Sequence, residues 1–137
     1  MWYYSLMKYL LILLLLFSTK SFADLKGKSL LCKKKNNELS GYFFEKNYKY
    51  HVISLYLVND TFRISSTSLI DYSLEPDKIK TGLTYINRVT LKMIGSINGK
   101  ELGQCELYNP EEIDDRIEEH RNERQRIYNK KLEGNKL

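Results

Sequence analysis

Two cysteines, Cys32 and Cys105, stand 73 positions apart, near opposite ends of a stretch patterned throughout for β-strands. What they can do depends on compartment, and the first residues of the chain bear on that. Leu10 to Phe17 form an unbroken apolar run behind Lys8 and ahead of Ser21-Phe22-Ala23. This is the layout of a secretory signal peptide, with Ser21 and Ala23 at the two positions a signal peptidase reads. A membrane-spanning helix needs roughly 20 apolar residues, so the run is too short, and contact with a membrane is expected only through the uncleaved signal. Met7-Lys8 makes a better start for such a signal than the aromatic, uncharged residues before it. Cys32 follows Ser29-Leu30-Leu31 rather than the small residues of a lipobox, so lipidation is not expected.

In an exported chain a lone pair of cysteines reads as one disulfide. The chain-entropy view assigns a loop of this length about 4 kcal/mol, comparable with the whole stability of a small domain. Two reduced thiols would be the default in a cytosol, and two cysteines with two distant histidines, His51 and His120, do not make a metal site. No catalytic residue, metal or cofactor is expected.

Charge narrows the partners. Of 22 lysines and arginines, Lys8 and Lys20 fall in the signal, which leaves 20 against 17 acidic residues, a net of +3 on the mature chain. Apart from Lys33-Lys34-Lys35 the basic residues are dispersed, as on solvated strand faces, so nucleic acid is not an expected partner. An unknown protein or another ligand of the cell envelope is.

The strand signal is period-two alternation with turn residues about every ten positions. A two-residue turn at Asn59-Asp60 pairs Val58 with Thr61, Leu57 with Phe62 and Leu55 with Ile64 on one face, and Tyr56 with Arg63 and Ser54 with Ser65 on the other. A slip of one residue would scramble the two faces, so this register supports itself. Gly41–Phe44 and Ile70–Leu74 read as short strands, the second ended by Glu75-Pro76-Asp77. Lys78 to Gly82 reads as a connection. Alternation from Leu83 to Met93 predicts one long strand or two collinear ones. Asn98-Gly99 predicts a tight hairpin pairing Ile97 with Lys100, with a β-bulge at Gly95 or Gly103 to keep Cys105 facing inward.

After Tyr108, Asn109-Pro110-Glu111-Glu112 predicts an N-cap, a first-position proline and a capping box, followed by a helix that ends at Gly134. Its aliphatics, Ile113, Ile117, Ile127 and Leu132, form a thin stripe interrupted by His120, Arg121 and Arg124. A helix so patterned is expected to pack weakly or project.

Few side chains suggest chemistry. Gly95-Ser96-Ile97-Asn98-Gly99 places its serine one position early for a nucleophile elbow and reads as a turn. His51 reads as an ordinary strand residue. The acidic cluster Asp71, Glu75 and Asp77 lacks the glycine-containing spacing of a calcium loop. Asn87-Arg88 is the candidate binding pair, because an amide on an otherwise apolar face must find a partner, either a ligand or the backbone. The tyrosine-rich set Tyr42, Phe43, Tyr48, Tyr50, Tyr56, Tyr72 and Tyr85 reads equally as a binding face and as strand content.

The segment Asp71 to Met93, DYSLEPDKIKTGLTYINRVTLKM, together with QCELY at 104–108, resembles small exported bacterial proteins of unknown function that share a two-cysteine β-domain. In layout the chain is also similar to periplasmic inhibitors of C-type lysozyme, whose fold is a small antiparallel barrel. Ser65-Ser66-Thr67-Ser68 stands roughly where that family carries a serine-glycine inhibitory loop, but has no glycine, and the basic balance does not suit a basic lysozyme.

The expectation is therefore a signal peptide over 1–23, an antiparallel β-domain over 24–109 and a C-terminal helix with tail over 110–137. The fold is mainly β, a small antiparallel barrel or sandwich of about six to eight strands. The protein is expected to be periplasmic or secreted and non-enzymatic, a binding module. The alternatives are an inhibitor of an envelope enzyme such as lysozyme, and an undetected hydrolase. A cavity lined by convergent titratable groups would favour the hydrolase, and an exposed loop at Ser65 to Ser68 the inhibitor.

Overall fold

The computed structural model describes residues 25–135, so the expected signal peptide over 1–23 lies outside the described residues. Ten strands form one sheet: β1 (Ser29–Lys34), β2 (Leu39–Glu45), β3 (Lys49–Val58), β4 (Thr61–Ser66), β5 (Ile70–Asp71), β6 (Ser73–Leu74), β7 (Lys78–Thr81), β8 (Thr84–Asn87), β9 (Lys92–Gly95) and β10 (Glu101–Leu107). A single helix, α1 (Pro110–Gly134), follows them. All pairings are antiparallel, in the order β4-β3-β2-β1-β10-β9-β8-β7-β6, with β5 beside β3.

The sheet is thus two meanders joined along β1 and β10, and it curls into half a barrel. Its far edges are bridged by chain: β5 pairs with β3, β6 with β7, and Tyr72 alone separates them. Tyr72 is buried edge-on against Phe44, their ring centroids 5.0 Å apart.

Leu30-Leu31-Cys32 of β1 and Tyr42-Phe43-Phe44 of β2 are consecutive apolar residues and all buried, because both faces of these strands are covered here. Leu30, Cys32, Tyr42, Phe44 and Tyr50 join Ile79, Ile86, Met93 and Cys105 in the core inside the curl. Leu31 and Phe43 point the other way and pack with Ile113 and Ile117 of the helix.

Cys32 and Cys105 are directly opposite on β1 and β10 and form the disulfide. The amide of Cys105 is spent on the other side, on the carbonyl of Leu91 at 2.9 Å. The cysteines therefore meet at a non-hydrogen-bonded position, where antiparallel strands bring opposite side chains closest. First and last strands are tied as expected, but their seam is the middle of the sheet rather than the closure of a barrel.

Other expectations are corrected. The strand count is ten, not six to eight. Lys78 to Gly82 is not a connection, because Lys78–Thr81 is a strand that turns tightly into β8 and buries Ile79 against Ile86. The alternation from Leu83 to Met93 belongs to an antiparallel hairpin, with Ile86 opposite Met93. Asn98-Gly99 sits in a five-residue loop over 96–100, closed by the Gly95 amide on the Lys100 carbonyl at 2.9 Å, so Ile97 and Lys100 do not pair. The bulge is present between Glu101 and Gly103. A side chain at Gly103 would overlap the Lys33 carbonyl, so this strand approaches β1 only with glycine there. The β3–β4 register is the one the sequence predicts at every pair, with Asn59 and Asp60 both at positive φ as a primed two-residue turn requires.

The helix does not project. Ile113 and Ile117 are 0% and 1% exposed, and they fit because β2 has glycine at position 41 beneath them. Asn109 has N-cap backbone angles, yet its side chain makes no capping bond, so the capping box is absent; its carbonyl accepts the Ile113 amide at 3.1 Å.

Candidate functional site

Asn87 and Arg88 lie at the turn between β8 and β9. Asn87 Oδ1 accepts the amides of Val89 and Thr90, each at 2.9 Å, and the Asn87 carbonyl accepts that of Leu91 at 2.9 Å. Arg88 donates from its amide to the Asp77 carbonyl at 2.9 Å and from Nη1 to the Glu75 carbonyl at 3.3 Å. Both residues thus brace turns through backbone partners. Glu75 is held by Lys80 at 2.7 Å and Lys78 at 3.5 Å, and these contacts lower its pKa, the Lys80 hydrogen bond most. Asp71 pairs with Lys49 across β3 and β5. His51 stacks on Phe43 with ring centroids 4.9 Å apart, and its Nδ1 lies 3.5 Å from Glu45.

Of the aromatic set, Tyr42, Phe43, Tyr50 and Tyr72 are core residues and Tyr85 is half-buried, whereas Tyr48 and Tyr56 are exposed. Tyr56 and Val58 share one face of β3, and Leu57 shares the other with Ile64 of β4. Leu57 and Val58 on β3, Ile64 on the edge strand β4, and Leu69 and Ile70 after it are all exposed. Ser65 to Ser68 is exposed along its whole length; Ser65 and Ser66 pair with Ser54 and Ile53 of β3, and Thr67 and Val52 exchange hydrogen bonds of 2.9 Å. The first part of the β4 edge is capped by the helix: Gln125 accepts the Phe62 amide at 2.7 Å and donates to the Asp60 carbonyl at 3.0 Å, and Tyr128 donates to Asp60 Oδ1 at 2.6 Å.

The second feature is a groove of about 630 Å³ where α1 passes over the outer face of β1 and β10. Leu31, Leu39 and Tyr108 contribute apolar surface, and Lys33, Glu106, Arg116, Glu119, His120, Glu123 and Arg124 contribute charge. A neighbouring hollow of about 460 Å³ shares Leu39, His120 and Arg124 with it. Arg124 lies over the Phe62 ring, 5.4 Å from its centroid, and Arg116 over Tyr108 at 5.1 Å. Glu123 is engaged by Arg126 at 2.6 and 2.9 Å, and Glu106 accepts from the Tyr108 hydroxyl at 2.9 Å. Partial burial, then Arg124, then Lys33 push the His120 pKa down, while the Asn37 backbone opposes them.

The groove was not anticipated from the sequence. Its signal lay in the interruption of the helical stripe: His120 and Arg124 follow Ile113 and Ile117 at spacings of three and four, so they face the sheet as well. That Lys33 would meet them depends on tertiary packing alone.

The chain matches no protein-family model, no curated protein and no solved structure.

Proposed function

We propose that the protein is a non-enzymatic exported module that binds a protein or other envelope ligand through its β3–β4 hairpin. The observation that carries this reading is the exposure of Leu57 and Ile64 beside half-buried Leu55 and Phe62 on one face of the edge hairpin, with Tyr56 and Val58 exposed on the other. Exposed apolar side chains on an edge hairpin suit an interaction surface. The disulfide is compatible with an oxidising compartment outside the cytoplasm, and the apolar run before Ala23 supports the same periplasmic or secreted location. The test is capture from envelope extract by the oxidised protein and by its Leu57→Glu/Ile64→Glu variant, with a thermal melt to show that the variant folds. A ligand retained by the first and lost by the second supports the reading. Equal retention, or none, overturns it.

Inhibition of an envelope enzyme such as lysozyme is the second reading, favoured by the exposure of Ser65 to Ser68. An assay of lysozyme activity with the protein in excess separates the two, since a binding module with another target leaves the rate unchanged. The groove presents the titratable groups that a hydrolase would need, but no serine, threonine or cysteine lines it.

A further inference from the structure

We propose that Lys33, His120 and Arg124 form a binding site for a tetrahedral oxyanion, a phosphate or sulfate group, where the helix-side groove meets its neighbouring hollow. Three elements bring these groups together: Lys33 comes from β1, His120 and Arg124 from successive turns of α1, and the backbone of Asn37 closes the site from the β1–β2 turn.

Three features fit an anion. Neither Lys33 nor Arg124 is in a salt bridge among the described residues, whereas Lys34 pairs with Glu38, Lys49 with Asp71, Lys80 with Glu75, Arg121 with Glu118 and Arg126 with Glu123. Arg124 lies over the ring of Phe62, which packs at right angles to Tyr128, and this contact favours one placement of its guanidinium. A planar guanidinium can take two oxygens of one oxyanion at once, which an ammonium cannot. The charges that act on His120 are also both positive, so the ring is biased against its proton until an anion neutralises its neighbours.

The acidic residues of the groove bear on the same site and must be counted. Glu38, from the β1–β2 turn, faces Lys34; Glu123 is occupied by Arg126, and Glu106 accepts from Tyr108. Glu119 lines the groove, and Arg116 beside it supplies an opposing charge. None of these carboxylates acts on the His120 ring.

Anion binding and protonation of His120 must then be linked. An added anion near the ring raises its pKa by about one unit, so the oxyanion binds about tenfold more tightly below that range than above it. The test follows the two histidines by NMR across a pH titration, in sulfate and in chloride at equal ionic strength, because sulfate keeps its charge throughout. His120 should titrate about one unit higher in sulfate, and His51, beside Glu45, is the internal control for a general salt effect. The Lys33→Ala/Arg124→Ala variant should lose the shift while keeping its thermal melt. A repeat in chloride with phosphatidylglycerol or phosphatidylcholine vesicles distinguishes the source. A shift with the anionic vesicles assigns the site to a lipid headgroup, and a shift with sulfate alone assigns it to a soluble oxyanion. The proposal is overturned if neither moves His120, if His51 moves equally, or if the double variant keeps the shift.

Discussion

A methyl group placed on Gly41 would lie 2.6 Å from Cγ2 of Ile113 and 3.1 Å from Cδ1 of Ile117, so the helix rests where β2 has no side chain. The thin stripe of α1 is sufficient because its two buried isoleucines enter a hollow rather than a flat sheet. Gly41→Ala should push the helix outward and destabilise the protein by about 1–3 kcal/mol, as overpacking does, measurable by urea denaturation.

Ending the chain after Tyr108 removes both isoleucines and uncovers Leu31 and Phe43. At about 1.5–3 kcal/mol for each buried side chain, the loss of the isoleucines alone approaches the stability of a domain this size. The truncated chain should melt at a much lower temperature or without a cooperative transition. An unchanged midpoint would show that the helix packs without stabilising.

Thiol titration of denatured, unreduced protein should find no free cysteine, since Cys32 and Cys105 are bonded. Replacing both by alanine should cost about 2–5 kcal/mol, the range for native disulfides in small domains. A double variant as stable as the parent would remove the staple from any account of the fold.

Asn87→Ala removes the acceptor of two turn amides and should cost about 1 kcal/mol, as loss of a helix cap does. Arg88→Ala should cost less, since its amide bond to Asp77 survives the change. Urea curves for the two variants rank them, and the reverse order would show that the side chain of Arg88, not Asn87, holds this turn.

Burial, with a smaller effect from Tyr50, pushes the phenol of Tyr42 up to about 12 from its ordinary 10. The unfolded phenol ionises near pH 10 while the folded one keeps its proton, so stability is full below about pH 10 and falls as the pH rises toward 12, by about 3 kcal/mol. Tyr42→Phe should flatten most of this alkaline decline, leaving the part due to Tyr50, whose pKa burial also raises. Urea midpoints measured at intervals above neutral pH report it.

The β3–β4 hairpin and the bulge near Gly103 were legible because each is over-determined: one register alone separates Leu55, Leu57, Phe62 and Ile64 from their polar neighbours, and one inserted residue alone turns Cys105 inward. The β8–β9 turn was not, because it contains neither glycine nor proline. Asn87 makes it with a side-chain oxygen, and Leu91 enters it at a φ of 57°, which an aliphatic residue seldom adopts. Strand β7 was hidden by its length, since Ile79 alone of its four residues is apolar and alternation cannot be read from one residue. The apolar face of the hairpin was visible as a pattern but not as an exposed one, because the sequence does not say how far the helix extends over Leu57 and Ile64. The meeting of Lys33 with His120 and Arg124 depends on the helix crossing angle, which local pattern does not encode.

The central seam also sets the order in which the chain can acquire its structure. Each meander closes through short turns, whereas β1 meets β10 only after a segment most of the domain long has been brought back on itself. Contacts of such separation carry the loop-closure entropy that slows folding, so the rate-limiting event should be formation of the seam rather than of any hairpin. A chain emerging N-terminus first presents β1 long before β10 exists, leaving one edge of β2-β1 open to pair with whatever strand is nearby. Oxidation of the two thiols converts that distant encounter into a local one, and refolding with the bond intact should be faster than refolding of the reduced chain.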